Sequence, residues 1–142
     1  MTIASQNPAA FALSNPAGLY DPSANGYSHL AVLAAGARIV CVAGQGGETE
    51  TGALDADFRA QVRQALANLR VALEAGGAGT ADVFKLTVLV VDHTMERLVI
   101  FGEELERAFG PGMKPACTLI PVPCLALEGR LFEVEALAAV SG

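Results

Sequence analysis

Apolar and polar positions along this chain follow two periods, one helical and one alternating. Between Asp55 and Ala75, the residues Phe58, Val62, Ala65, Leu66, Leu69 and Leu73 recur at helical spacing, with Arg59, Arg63 and Arg70 elsewhere on the wheel. The spacing predicts a helix. Gly76-Gly77 ends it, because glycine enters the left-handed cap conformation without steric cost. A second helix is expected from a cap at Asp92 or Thr94 to about Phe109, with Leu98, Phe101, Leu105 and Phe109 as its buried stripe. Gly110-Pro111-Gly112 stops it.

The alternating period predicts the strands. Asp82 to Val91 is dense in β-branched residues, and the apolar runs His29 to Ala34 and Ile39 to Ala43 flank a turn at Gly36 that reads as a hairpin. Met1 to Ser28 is punctuated by Asn15-Pro16, Gly18, Asp21-Pro22 and Asn25-Gly26, and reads as an ordered arm. Lys114 to Pro123 and Leu131 to Ala138 form a closing strand pair. In the latter, Phe132, Val134, Ala136 and Ala138 alternate with Leu131, Glu133, Glu135 and Leu137, so one face is apolar and the other carries two acids. The predicted order is β-β-α-β-α-β-β. Its crossovers place two helices on one face of a mixed sheet and leave the other for a partner. A neighbour closing the acid-bearing face would desolvate the carboxylates, and a desolvated carboxylate can serve as a general base.

Composition sharpens this picture. One domain over residues 1–142 is expected. Apolar residues make up 52% and the mean hydropathy is +0.42, which points to apolar surface buried between subunits. No apolar run is long enough to span a bilayer, and the stretch before Arg38 lacks the charged start of a secretory signal, so a cytoplasmic location is expected. Nine Lys and Arg against fifteen Asp and Glu, a net charge of −6, weigh against binding a phosphate backbone. Cys41, Cys117 and Cys124 are an odd set without framework spacing, and reduced thiols acting as small hydrophobes are expected.

The segments Gly26-Tyr27-Ser28-His29, Val42-Ala43-Gly44-Gln45, Gln61 to Leu69, Asp82 to Val88 and the C-terminal strand pair together resemble the Rid family. These are the YjgF-type reactive-intermediate deaminases, also called L-PSP endoribonucleases. The resemblance implies an α+β, chorismate-mutase-like fold, assembled as a homotrimer with ligand clefts between subunits and needing no metal or organic cofactor. It implies that Glu133 positions a hydrolytic water, that Tyr27 walls the pocket and that backbone at Ala43 and Gly44 receives the substrate. Glu135 reads as an interface hydrogen-bond partner. At the second-helix pocket position stands Ile100, which makes the cleft more apolar. Where deaminating members carry an arginine that holds the substrate carboxylate, this chain has Cys117.

A thiol cannot replace the arginine fork, so standard 2-iminobutanoate deamination is expected to be weak or absent. Lys114 and Arg130 are the candidate substitute cations, and Cys117 reads as packing rather than as a nucleophile. The function expected is hydrolysis of an enamine, imine or related small molecule. The alternatives are a non-catalytic ligand-binding or protein-interaction trimer and, third, an endoribonuclease. Other constellations fail: Gly44-x-Gly46 has Thr49 where a dinucleotide loop needs glycine, and His29 and His93 match no zinc spacing. A Ser28/His29/Asp92 triad fails because strand neighbours point to opposite faces.

Overall fold

The structure, a computed structural model, describes residues 9–142. Two short strands, β1 (Phe11–Ser14) and β2 (Leu30–Leu33), pair antiparallel as a sheet of their own. The main sheet takes β3 (Arg38–Gln45), β4 (Val83–Val91), β5 (Ala116–Val122) and β6 (Phe132–Val140) in the order β3-β6-β4-β5. β6 is antiparallel to both of its neighbours, whereas β4 and β5 run parallel. A parallel pair needs a crossover. α2 (Met95–Phe109) supplies it, and α1 (Phe58–Ala75) links β3 to β4.

Each boundary has a local cause. The Asp57 carboxylate accepts from the amide of Ala60 to start α1, and the Thr94 hydroxyl accepts from the amide of Arg97 to start α2. Thr94, not Asp92, is the cap. After α1 the chain leaves the helix through Gly77 at φ +79°.

Both helices pack on one sheet face, where Phe58 of α1 and Phe101 of α2 each set a ring against Phe132 of β6. The whole expected stripe of α1 is buried; on α2, Phe101 and Leu105 are buried while Leu98 and Phe109 are half-buried. Burial of a leucine such as Leu69 or Leu73 contributes about 1.5–3 kcal/mol, and this face holds most of the core. The opposite face has no helix. Ile39, Ile120 and Leu137 are exposed there, beside Cys41, Ala43 and Glu135.

Two expectations need correction. The arm contains β1, and the Phe11 ring lies 6.0 Å from that of Phe84; the first eight residues of the expected arm lie outside the described residues. The hairpin does not form as a pair. Gly36 does turn the chain at φ +80°, but β2 pairs with β1 and β3 pairs with β6. Alternation sets which face a residue takes, and it leaves the partner strand open.

Candidate functional site

Glu133 projects from β6 on the face away from the helices, as its alternation requires, and a break in the β3 ladder lies beside it. Val42 pairs with Ala136 and Gln45 with Val134, so three steps on β3 match two on β6. That extra residue is a β-bulge, which bends a strand and frees backbone from the ladder. Ala43 and Gly44 occupy it, inside β3 rather than at its end. A Cβ built on Gly44 would stand 1.9 Å from Oε1 of Glu133. Only glycine leaves room for the carboxylate there.

The second carboxylate oxygen is held from the other side. Arg130 Nη1 donates to Glu133 Oε2 at 3.1 Å, while its Nε and Nη2 donate to the two oxygens of Glu48. The carboxylate expected to be desolvated thus has a cation beside it. The Arg130 hydrogen bond and charge hold the Glu48 carboxyl below its usual range, and Glu48 in turn raises the guanidinium. All three side chains are largely buried, Glu133 at 18% exposure. Gly46 packs under this cluster, since a Cβ there would meet Arg130 Nε at 2.4 Å.

The cluster is positioned by α1. Fully buried Gln61 donates from Nε2 to the carbonyls of Asp55 and Gly129, and its Oε1 accepts from the amide of Leu131. Two of these groups flank Arg130 directly. One turn pair along, Asn68 Nδ2 donates to the carbonyls of Gly46 and Glu48. The residues expected only to continue an amphipathic helix therefore fix both loops that meet at Arg130. Glu48, Gln61 and Asn68 were not among the candidates from sequence. Buried polar groups at helical spacing were the available signal, and their partners lie too far along the chain for spacing to show them.

The remaining candidates lie elsewhere. Tyr27 sits in the segment before β2, with its hydroxyl hydrogen-bonded to that of Tyr20 and its ring edge-on to His29 at 5.5 Å. The Tyr20 hydrogen bond pushes the Tyr27 phenol above its usual range. The adjoining Ser28 donates its amide to Pro115 and its hydroxyl to the carbonyl of Lys114, which places Tyr27 at the β5 end of the molecule. Cys117, on β5, is half-buried against the core, and burial pushes its thiol up to about 11. That favours inert packing. Cys41 and Cys124 are exposed, contrary to their expected packing role, and all three thiols are free.

Ile100 is half-buried against the core on α2, in the helix layer. Lys114 is buried and bonded to Glu106 Oε2 at 2.6 Å and to the carbonyl of Gly112. Neither candidate cation is unpaired. Glu133, Ala43 and Gly44 thus come together near the β3 side of the sheet, and Tyr27 and Cys117 near the β5 side. Strand order puts those two sides at opposite edges. Between them a depression of about 370 Å3 on the open face is lined by residues that include Cys41, Ala43, Lys85, Thr87 and Glu135. Among the described residues no group of three or more His, Cys, Asp or Glu side chains is placed to hold a metal ion, and no helix is long and apolar enough to cross a membrane.

A mixed four-stranded sheet with two helices on one face and the other face open is the chorismate-mutase-like α+β fold. The particular family follows from comparison: a family model described as Endoribonuclease L-PSP matches residues 20–140, and the chain belongs to that family, the Rid or YjgF family. Its fold superimposes on that of the Rid-family protein YyfB of Yersinia pestis with a TM-score of 0.86 and 32% identity, over 92% of this chain and 99% of that one. A YjgF-family structure from Mycobacterium tuberculosis, also 32% identical over 92% of this chain and 99% of that one, gives 0.62. A RutC family protein of Haemophilus influenzae is 35% identical over 91 residues, 62% of this chain and 68% of that protein. A Pyrococcus horikoshii RutC family protein is 37% identical over 82 residues, 58% of this chain and 62% of its own length.

Proposed function

We propose that the protein hydrolyses a small enamine or imine in a cleft between subunits of a homotrimer. The observation that carries this reading is the Glu133 carboxylate, whose Oε2 is held by Arg130 and whose Oε1 rests on the bulge at Gly44. One oxygen is anchored, and the other is left to accept from water. In the reaction, water adds to the imine carbon while Glu133 takes its proton. The carbinolamine then collapses to a carbonyl as ammonia leaves with the returned proton, so that imine plus water gives carbonyl plus ammonia. Backbone groups at Ala43 and Gly44 hold the substrate, and Tyr27 walls the pocket.

The placement of the two groups of residues at opposite sheet edges supports the intersubunit cleft. A contact that joins one edge of a copy to the other edge of the next is head-to-tail, and such contacts close into rings. The exposed apolar residues of the open face give that contact its driving force. Three copies is the number the family resemblance implies.

Carboxylate-bearing substrates are poorly served. Cys117 is a neutral thiol, Lys114 is paired with Glu106, and Arg130 is paired with Glu48 and Glu133. A charge-assisted arginine contact contributes about 1.5–3 kcal/mol, so its absence costs on the order of ten- to a hundredfold in kcat/KM on 2-iminobutanoate. The same pairing favours a second reading, a trimer that binds a ligand without turning it over. A coupled assay decides between them, using wild type, Glu133→Gln and an arginine-bearing relative on 2-iminobutanoate and on imines without a carboxylate. Turnover of the latter that falls in Glu133→Gln supports hydrolysis. Turnover that is unchanged in the variant removes Glu133 from the mechanism, and no turnover at all leaves the binding reading.

A further inference from the structure

The helix layer carries a second charged feature, remote from the sheet face. Four of the chain's nine Lys and Arg residues, Arg59, Arg63, Arg70 and Arg107, gather on α1 and α2. At their centre lies Glu104, 2% exposed, with Arg59 Nη1 at 3.0 Å, Arg63 Nη2 at 2.9 Å and Arg107 Nε at 3.8 Å. Arg59 also meets Glu103 and Arg70 meets Glu74, so four guanidiniums face three carboxylates. A local surplus of positive charge in a chain of net charge −6 calls for a reason.

Joining the two helices does not supply it. Arg59 and Arg63 of α1 already span them through short hydrogen bonds to Glu103 and Glu104 of α2, at 2.6 to 3.0 Å. Arg70 and Arg107 add little to that clamp: one pairs with an exposed residue of its own helix, the other stands 3.8 Å from an already satisfied carboxylate. Both instead line a groove of about 210 Å3 together with Arg63, Thr80 and Glu104. Among the described residues, the Nη atoms of Arg70 and Arg107 and the Thr80 hydroxyl make no hydrogen bond. Two guanidiniums with unused donors and a hydroxyl lining one groove are the kind of groups that bond the oxygens of a tetrahedral anion.

We propose that this groove is a binding site for phosphate or the terminal phosphate of a small phosphomonoester, held by Arg70, Arg107 and Thr80. Glu104 has a positioning role: it fixes Arg63 as one wall and keeps the floor from collapsing, at the cost of one opposing charge. The site stands on the helix layer, so it is independent of Glu133 and of the reading of the sheet face.

The test is isothermal titration of inorganic phosphate into the full-length protein at constant ionic strength, with chloride as the replaced ion. One saturable site per chain is expected. Arg70→Ala and Arg107→Ala should each weaken it about tenfold, the size of one charge-assisted contact, and the double variant should abolish it. Both side chains are exposed, at 70% and 65%, so the variants should keep the fold, and amide NMR shifts at Thr80 and Arg107 in the wild type give a reading that needs no variant. Glu133→Gln should leave binding unchanged. The proposal is overturned by the absence of saturable binding, by binding that survives the double variant, or by an RNA oligonucleotide binding there while phosphate does not.

Discussion

Two clusters of arginine and glutamate sit on opposite sides of this molecule, and their proportions are reversed. Around Glu104, three arginines converge on one buried carboxylate, which they hold down at about 2. Around Arg130, two carboxylates share one cation. In the first cluster the acid is saturated and the cations have donors to spare. In the second one guanidinium is divided between two carboxylates, and Glu133 keeps one oxygen over the bulge. Ion pairs of similar distance thus serve different ends: whichever partner is in excess keeps bonding capacity for something else.

The largest expected effect separates the clusters at the site. Gly44→Ala should leave the fold intact, because its Cβ meets only the side chain of Glu133 and no backbone, and should displace the carboxylate by about an ångström. A displacement of that size costs about a hundredfold in turnover. Steady-state kinetics beside a thermal melt check this. A variant that keeps full turnover would show that Glu133 needs no fixed place, and the contrast would lose its functional half.

Next is the structural half. Glu104→Gln should lower stability by about 1–3 kcal/mol in urea, as a buried charged hydrogen-bond partner is lost, with turnover unchanged. Its pH dependence carries a sign. A carboxylate held near 2, against an ordinary value of 4.5, contributes stability that is present above about pH 4.5 and lost as pH falls toward 2. Wild type should therefore lose urea resistance across that window faster than Glu104→Gln. Parallel curves would mean that the cluster does not act as one unit.

Much of the architecture was legible in the alternation of β6 and the helical stripe of α1, because burial of a face imposes a period on the sequence. The face that Glu133 takes was legible for the same reason. What stayed hidden was pairing. β1 is four residues long, too short for its period to stand out among turn formers, and β2 carries no mark saying that β1, not β3, will claim it. Arg130 could be named as a cation, but its partner Glu48 lies 82 residues away in a glycine-rich loop, where no spacing rule reaches. Ile100 and Cys117 could be aligned to a pocket, and the structure shows each packed against the core of its own chain.

The Gln61 amide has a consequence for the order of events in folding. It joins α1 to a loop 68 residues further on, and it holds the backbones on both sides of Arg130. Contacts of such separation form after local ones, since the chain must close a long loop before gaining from them. Amides inside α1 should acquire protection early in pulse-labelled hydrogen exchange, and that of Leu131 late. The nascent chain would then pass through a time when α1 is already built while the loop that carries Arg130 is not yet docked on it.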